Sequence, residues 1–210
     1  MLAIAGGKGG SGKTTTTLGL ARSIDAPTLA VDADSDLPNL HRLAGVPRDP
    51  PTGTCGHPDP DARGTETRIL PARSHEPDGV GERLRRLHDA EDADDTPSVL
   101  VDCPAGAGPD ATVPLRIADA VLVVSTPCIA ALRDAAKTAA MARAVGTPLI
   151  GGVLTRARLA PTGVDDLLGC PVLETIPRAA DGNAATPLSD PSVRRAYDNL
   201  ADALRERPKG

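Results

Sequence analysis

Phenylalanine and tryptophan are absent from this 210-residue chain, and tyrosine occurs once, as Tyr197. Its interior must therefore be filled by Ala, Val, Leu and Ile. Lysine is scarce as well. There are four, against 19 arginines, and two of the four, Lys8 and Lys13, fall in one short loop. The four cysteines, Cys55, Cys103, Cys128 and Cys170, are far apart and none forms C-x-x-C, so neither a zinc ribbon nor a thioredoxin-type site is supported. Cys103, Cys128 and Cys170 sit in or beside apolar runs and read as small core hydrophobes. No apolar run approaches the ~20 residues of a membrane span. Met1 leads straight into an apolar strand and leaves no room for a leader, so a cytoplasmic protein with reduced thiols is expected. The net charge of −5 does not favour broad binding to nucleic acid and leaves only a local basic patch as an option.

What is present is a glycine-rich turn between an apolar run and a helical pattern. Leu2 to Ala5 lead into Gly-Gly-Lys-Gly-Gly-Ser-Gly-Lys-Thr, and from Gly7 the spacing is G-x-x-x-x-G-K-T. This is the phosphate-binding loop. Glycine lets the backbone fold tightly, so that successive N–H groups point at one anion, and the helix that follows adds its positive end. The expected nucleotide contacts are Gly7, Lys8, Gly9, Gly10, Ser11, Gly12, Lys13, Thr14 and Thr15. Within that set Lys13 reaches the outer phosphates and the Thr14 hydroxyl sits on Mg²⁺. A second acid motif supports this. Ser98 to Val101 is an apolar strand closed by Asp102 and followed by Cys-Pro-Ala-Gly, the pattern of an acid that holds Mg²⁺ or its water.

The loop also carries Lys8 just after its first glycine. The resulting K-G-G-x-G-K-T-T resembles the deviant phosphate loop of the MinD/ParA family of ATPases. That resemblance implies that Lys8 reaches a partner's nucleotide across a homodimer interface. Asp32, Asp34 and Asp36 follow a buried strand, Thr28 to Val31. By themselves these acids form either a hard-cation site or a solvated acidic turn. The segment resembles the family's first switch, D-x-D-x-G-L-x-N-L, and the match implies that Asp34 positions the attacking water beside the metal. The chain departs from the pattern at Asp36, where the family has glycine, and at Pro38. Asp102-Cys-Pro-Ala-Gly106 resembles the second switch, whose Pro-Ala-Gly senses the γ-phosphate. Thr155-Arg156 and Pro177-Arg178 close two further strands and match the positions that flank adenine, although the asparagine common near Thr155 is missing. Ser125-Thr-Pro, with Arg133 and Asp134, resembles a partner-facing segment, with Cys128 in place of its glutamate.

Repeated strand–helix alternation predicts one α/β domain over residues 1–210, a P-loop NTPase with a mostly parallel sheet and helices on both faces. Helix one is expected to run to about Ile24, residues 46–67 to form a long surface loop, and residues 190–207 to form a C-terminal helix opened by Asp190-Pro191. Val80 to Ala90 is expected as an amphipathic helix with Leu84 and Leu87 inward and Arg83, Arg85 and Arg86 outward. The histidines read as isolated surface residues. The resemblance implies a Mg-ATP-dependent, dimerising ATPase that acts as a switch in spatial positioning: cell division site placement, chromosome partitioning or placement of a cellular machine. An activating protein partner of unknown identity is implied with it. The tail lacks the bulk and length of a membrane-anchoring helix, so independent membrane binding is not expected, and non-specific DNA binding is only weakly supported by Arg194, Arg195, Arg205 and Arg207. Two other readings share the architecture: an ATP-dependent ligase of cofactor biosynthesis, and a nucleotide switch with little hydrolysis.

Overall fold

Five of the strands are near-continuous runs of Val, Leu, Ile and Ala, the composition of strands covered on both faces. The structure, a computed structural model, describes residues 1–7, 9–50, 55–63, 66–73, 79–90, 97–106, 108–180 and 187–206. In chain order the elements are β1 (Leu2–Ala5), α1 (Lys13–Ala21), β2 (Thr28–Asp32), α2 (Leu40–Ala44), β3 (His57–Pro58), β4 (Thr67–Leu70), α3 (Gly79–Ala90) and β5 (Ser98–Asp102). There follow α4 (Pro109–Ile117), β6 (Ala120–Ser125), α5 (Ile129–Ala144), β7 (Leu149–Thr155), α6 (Val164–Leu168), β8 (Val172–Ile176) and α7 (Pro191–Arg205). The strands join one sheet in the order β3-β4-β2-β5-β1-β6-β7-β8. Every pairing is parallel except β3 with β4 at one edge.

Alternation along each strand sends side chains to two cores. Ala3 and Ala5 of β1 face Leu84 of α3, Leu115 of α4, Ala135 and Ala139 of α5 and Leu168 of α6. Ile4 faces the other way, towards Leu18 and Leu20 of α1, Leu40 of α2, and Val193, Tyr197 and Leu200 of α7. Helices therefore cover both faces, as the sequence predicts. The lack of large aromatics is met by close approach. Ala135, Ala139 and Ala142 are fully buried along α5. The one aromatic ring, Tyr197, lies so close to α1 that a Cβ on Gly19 would come within 2.5 Å of it.

Several expectations need correction. Helix α1 stops at Ala21, with Arg22 as its C-cap. Arg22 turns onto the segment expected to be a long surface loop and donates to both carboxylate oxygens of Asp59 at 2.6 and 2.7 Å. Asp59 is buried, and β3 pairs antiparallel with β4 beside it, so this part of 46–67 is docked to the body. Arg83 points inward. It donates to the main-chain oxygens of Pro71 (3.0 Å) and Asp32 (2.6 Å). Cys103 and Cys170 are buried as expected, but Cys128 is exposed at the start of α5. His88 is paired with Asp119 at 3.0 Å, and Asp119 also accepts from the terminal amine of Met1. Helix α7 begins on the expected cap, with the Asp190 carboxylate accepting from Ser192 N, and runs to Arg205; Arg207 lies outside the described residues. Among the described residues no helix is long and apolar enough to cross a membrane.

Candidate nucleotide site

In a parallel sheet of this kind ligands sit beyond the carboxyl ends of the strands, and the sequence-predicted residues gather there. The chain leaves β1 through Gly6 and enters α1 at Lys13. Gly10 (φ 76°) and Gly12 (φ 95°) take the left-handed conformation that side chains disfavour. At Gly7 the loop touches the backbone of Asp134 in α5, leaving no room for a Cβ. Gly12 is the N-cap of α1 and supplies no capping side chain, so the first N–H groups of the helix are open to an anion. Lys13 is nearly buried at the head of that helix. Lys8, the predicted second cation, lies outside the described residues.

Two acids close neighbouring strands in register, Asp32 of β2 opposite Asp102 of β5. Asp32 is fully buried and accepts main-chain N–H groups from Asp34 (3.0 Å), Asn39 (3.1 Å) and Leu40 (3.1 Å). It therefore shapes the loop after β2, and desolvation holds its carboxyl above the usual range. Asp34 is set by that loop and accepts Leu37 N at 3.0 Å, while Asp36 is exposed. Three acids acting alone as a cation site is thus not what forms: among the described residues no group of three or more His, Cys, Asp or Glu gathers to hold a metal.

Asp102 is the better metal candidate. Burial, then the charge of Asp32, push its carboxyl up to about 7, against the lowering effect of the Thr14 hydroxyl and Lys13. Its Oδ1 is buried with no hydrogen-bond partner. A buried acceptor beside a hydroxyl, at the mouth of a phosphate loop, fits Mg²⁺, which takes one or two hard oxygen donors from the protein and the rest from phosphates and water. The residues that would hold it are Thr14 and Asp102.

Beside the loop lies a cavity of about 320 Å³. Gly12, Thr15, Thr155, Arg156, Pro177 and Arg178, all predicted from the sequence, line it. Ile176, Val193 and Tyr197 add an apolar floor that the sequence reading missed. The α7 residues reach this site only because α7 folds back over β8, which no local pattern reveals; the lone tyrosine was the one visible cue. Arg156 has φ 55°, unique for a non-glycine among the described residues, and the turn it makes is closed by Ala157 N donating to Ile176 O at 3.1 Å. Such strain gathers at binding sites. One predicted contact has a different disposition: the Thr155 hydroxyl donates to Ser11 O of the phosphate loop at 2.6 Å.

Comparison with known proteins agrees with this geometry. The family model for the CobQ/CobB/MinD/ParA nucleotide binding domain matches residues 2–186. An uncharacterized ATP-binding protein of Methanocaldococcus jannaschii is 30% identical over 217 residues, covering 93% of this chain and 76% of that protein. The cell division ATPase MinD of Pyrococcus furiosus superposes with a TM-score of 0.77 at 26% identity, covering 98% of both chains. The septum site-determining protein MinD of Pyrococcus horikoshii, complexed with Mg-ADP, superposes with a TM-score of 0.78 at 23% identity, covering 98% of this chain and 95% of that one.

Proposed function

The chain belongs to the CobQ/CobB/MinD/ParA nucleotide-binding family, and on that premise we propose that it is a Mg-ATP-dependent ATPase whose cycle switches it between monomer and homodimer. The observation that carries the reading is the juxtaposition of a nearly buried Lys13, at an open helix start, with the buried, unpartnered oxygen of Asp102. A cation and a carboxylate placed so match the two needs of a bound triphosphate, charge neutralisation and a metal ligand. Mg²⁺, when bound, neutralises charge on the transferred phosphoryl group and orients it. Lys13 would hold the outer phosphates, with Lys8 as the second cation. Thr14 and Asp102 would fix the metal, and Asp34 would orient the attacking water. Catalysis in such a site is positioning plus electrostatic stabilisation. The base would occupy the cavity between Thr155-Arg156 and Pro177-Arg178.

The homodimer is supported by three exposed apolar side chains: Leu37 (72% exposed), Ile129 (72%) and Leu159 (82%). They stand on the segments that follow β2, β6 and β7, on the same rim as the phosphate loop. A second copy placed over that rim would cover them together with the nucleotides. The likeness to cell division ATPases supports a role in spatial positioning, with hydrolysis as the timer and a protein partner as its trigger.

Size-exclusion chromatography of an Asp34→Ala variant tests this. The variant is expected to elute as a monomer without nucleotide and as a dimer with Mg-ATP, with turnover reduced by about 100-fold because the water-orienting group is gone. A variant that binds ATP and stays monomeric contradicts the switch and points to a non-dimerising nucleotide enzyme.

A further inference from the structure

We infer that Thr155 is a positioning residue for the phosphate cradle: its hydroxyl pins the Ser11–Gly12 peptide and so aims the Gly12 N–H at the bound anion. The inference rests on the ATP site proposed above and assigns Thr155 a task different from contact with the base. Thr155 ends β7 and is 5% exposed. Its Oγ1 lies 2.6 Å from Ser11 O and 3.3 Å from Ser125 O. A hydroxyl has one proton to donate, and the shorter, better contact takes it. That proton is then unavailable to a base in the cavity.

The consequence follows from peptide geometry. In a trans peptide the C=O of residue 11 and the N–H of residue 12 lie in one plane and point in opposite directions. Holding the Ser11 oxygen against β7 turns the Gly12 N–H the other way, away from β7. Gly12 sits at φ 95°, and a Cβ there would meet Thr155 Cγ2 at 2.9 Å and Oγ1 at 3.2 Å. The glycine and the threonine are therefore closely fitted to one another, with no room for a side chain at position 12. Threonine is branched at Cβ and stiff about χ1, so the hydroxyl is held in place rather than merely able to reach. The chain that carries it is tied to the next strand: Arg156 makes the left-handed turn, and Ala157 N donates to Ile176 O of β8. The contact spans 144 residues and links a β7 side chain directly to the loop.

The test compares three variants by calorimetry, using Mg-ATP, inorganic tripolyphosphate and adenosine as separate probes, with thermal melting alongside. Thr155→Val puts a methyl where the hydroxyl was and forces the loop to shift, whereas Thr155→Ala leaves space instead. Both are expected to weaken ATP and tripolyphosphate by about tenfold, equivalent to ~1.4 kcal/mol, while adenosine stays within about twofold. Thr155→Ser keeps the hydroxyl and is expected to restore ATP affinity to within about twofold of the unmodified protein. The inference is overturned if Thr155→Ala binds ATP as the unmodified protein does, or if all three probes weaken by the same factor. Failure of the unmodified protein to take up ATP overturns the site reading as well; normal uptake with an indifferent Thr155→Ala overturns this inference alone.

Discussion

Replacing Lys13 with alanine is expected to reduce ATP turnover by about 100- to 1,000-fold, the range found when one preorganised electrostatic group is removed from a transition state. Lys13 is nearly buried, so bulk water cannot screen the charge it offers to a phosphate. No other described cation stands in the loop, and Lys13 is the first residue of α1, whose open amino end carries the positive end of the helix dipole. Its loss also removes a charge that lowers the carboxyl of Asp102. The metal site therefore becomes harder to ionise, and the damage extends beyond one missing contact. Phosphate release at saturating Mg²⁺ measures the effect. A variant retaining more than about a tenth of normal turnover places the catalytic cation elsewhere.

The second large effect concerns stability and pH. In the folded, metal-free protein the Asp102 carboxyl titrates at about 7; in the unfolded chain it titrates near the ordinary value of about 3.9. Between those values the unfolded state has lost the proton and the folded state still holds it. Folding stability from this group is therefore fully present below about pH 4, falls as pH rises towards 7, and is flat above. At ~1.36 kcal/mol per pH unit the loss amounts to about 4 kcal/mol at most. Asp102→Asn removes that titration. In EDTA the variant is expected to gain on the unmodified protein by about 2.5 kcal/mol more at pH 8 than at pH 5, read from chemical denaturation. The same variant should lose the Mg²⁺ dependence of ATP binding, since the buried oxygen that fits the metal is gone. An equal stability difference at both pH values contradicts the assignment.

These two residues were legible in the sequence because their signals are local. The spacing that ends in Gly12-Lys13-Thr14 lies between a four-residue strand and a nine-residue helix, and Asp102 closes an apolar run. The sheet was legible for the same reason, since strands buried on both faces are written as unbroken aliphatic runs. Other elements were hidden. Helices α2 and α6 have five residues each, too few for a 3.6-residue period to show, and α4 is masked by Pro109 at its start and Pro114 inside it. Arg83 was read as outward because charged residues usually are, but a guanidinium can bury its fork against carbonyl oxygens, and the Asp32 carbonyl it meets lies 51 residues away. The Arg22–Asp59 bridge and the Thr155–Ser11 bond are likewise long-range and have no local pattern. Cys128 had apolar neighbours, yet it occupies the turn that starts α5 and not a core position.

All of these conclusions depend on the glycine-rich turn holding a nucleotide triphosphate. Titration calorimetry of the unmodified chain with ATP, at saturating Mg²⁺ and at low and molar KCl, tests that most directly. Saturable heat with one ATP per chain, weakened in the Lys13→Ala variant, is the predicted result. No heat at any salt concentration, or equal binding in the unmodified chain and the variant, contradicts it.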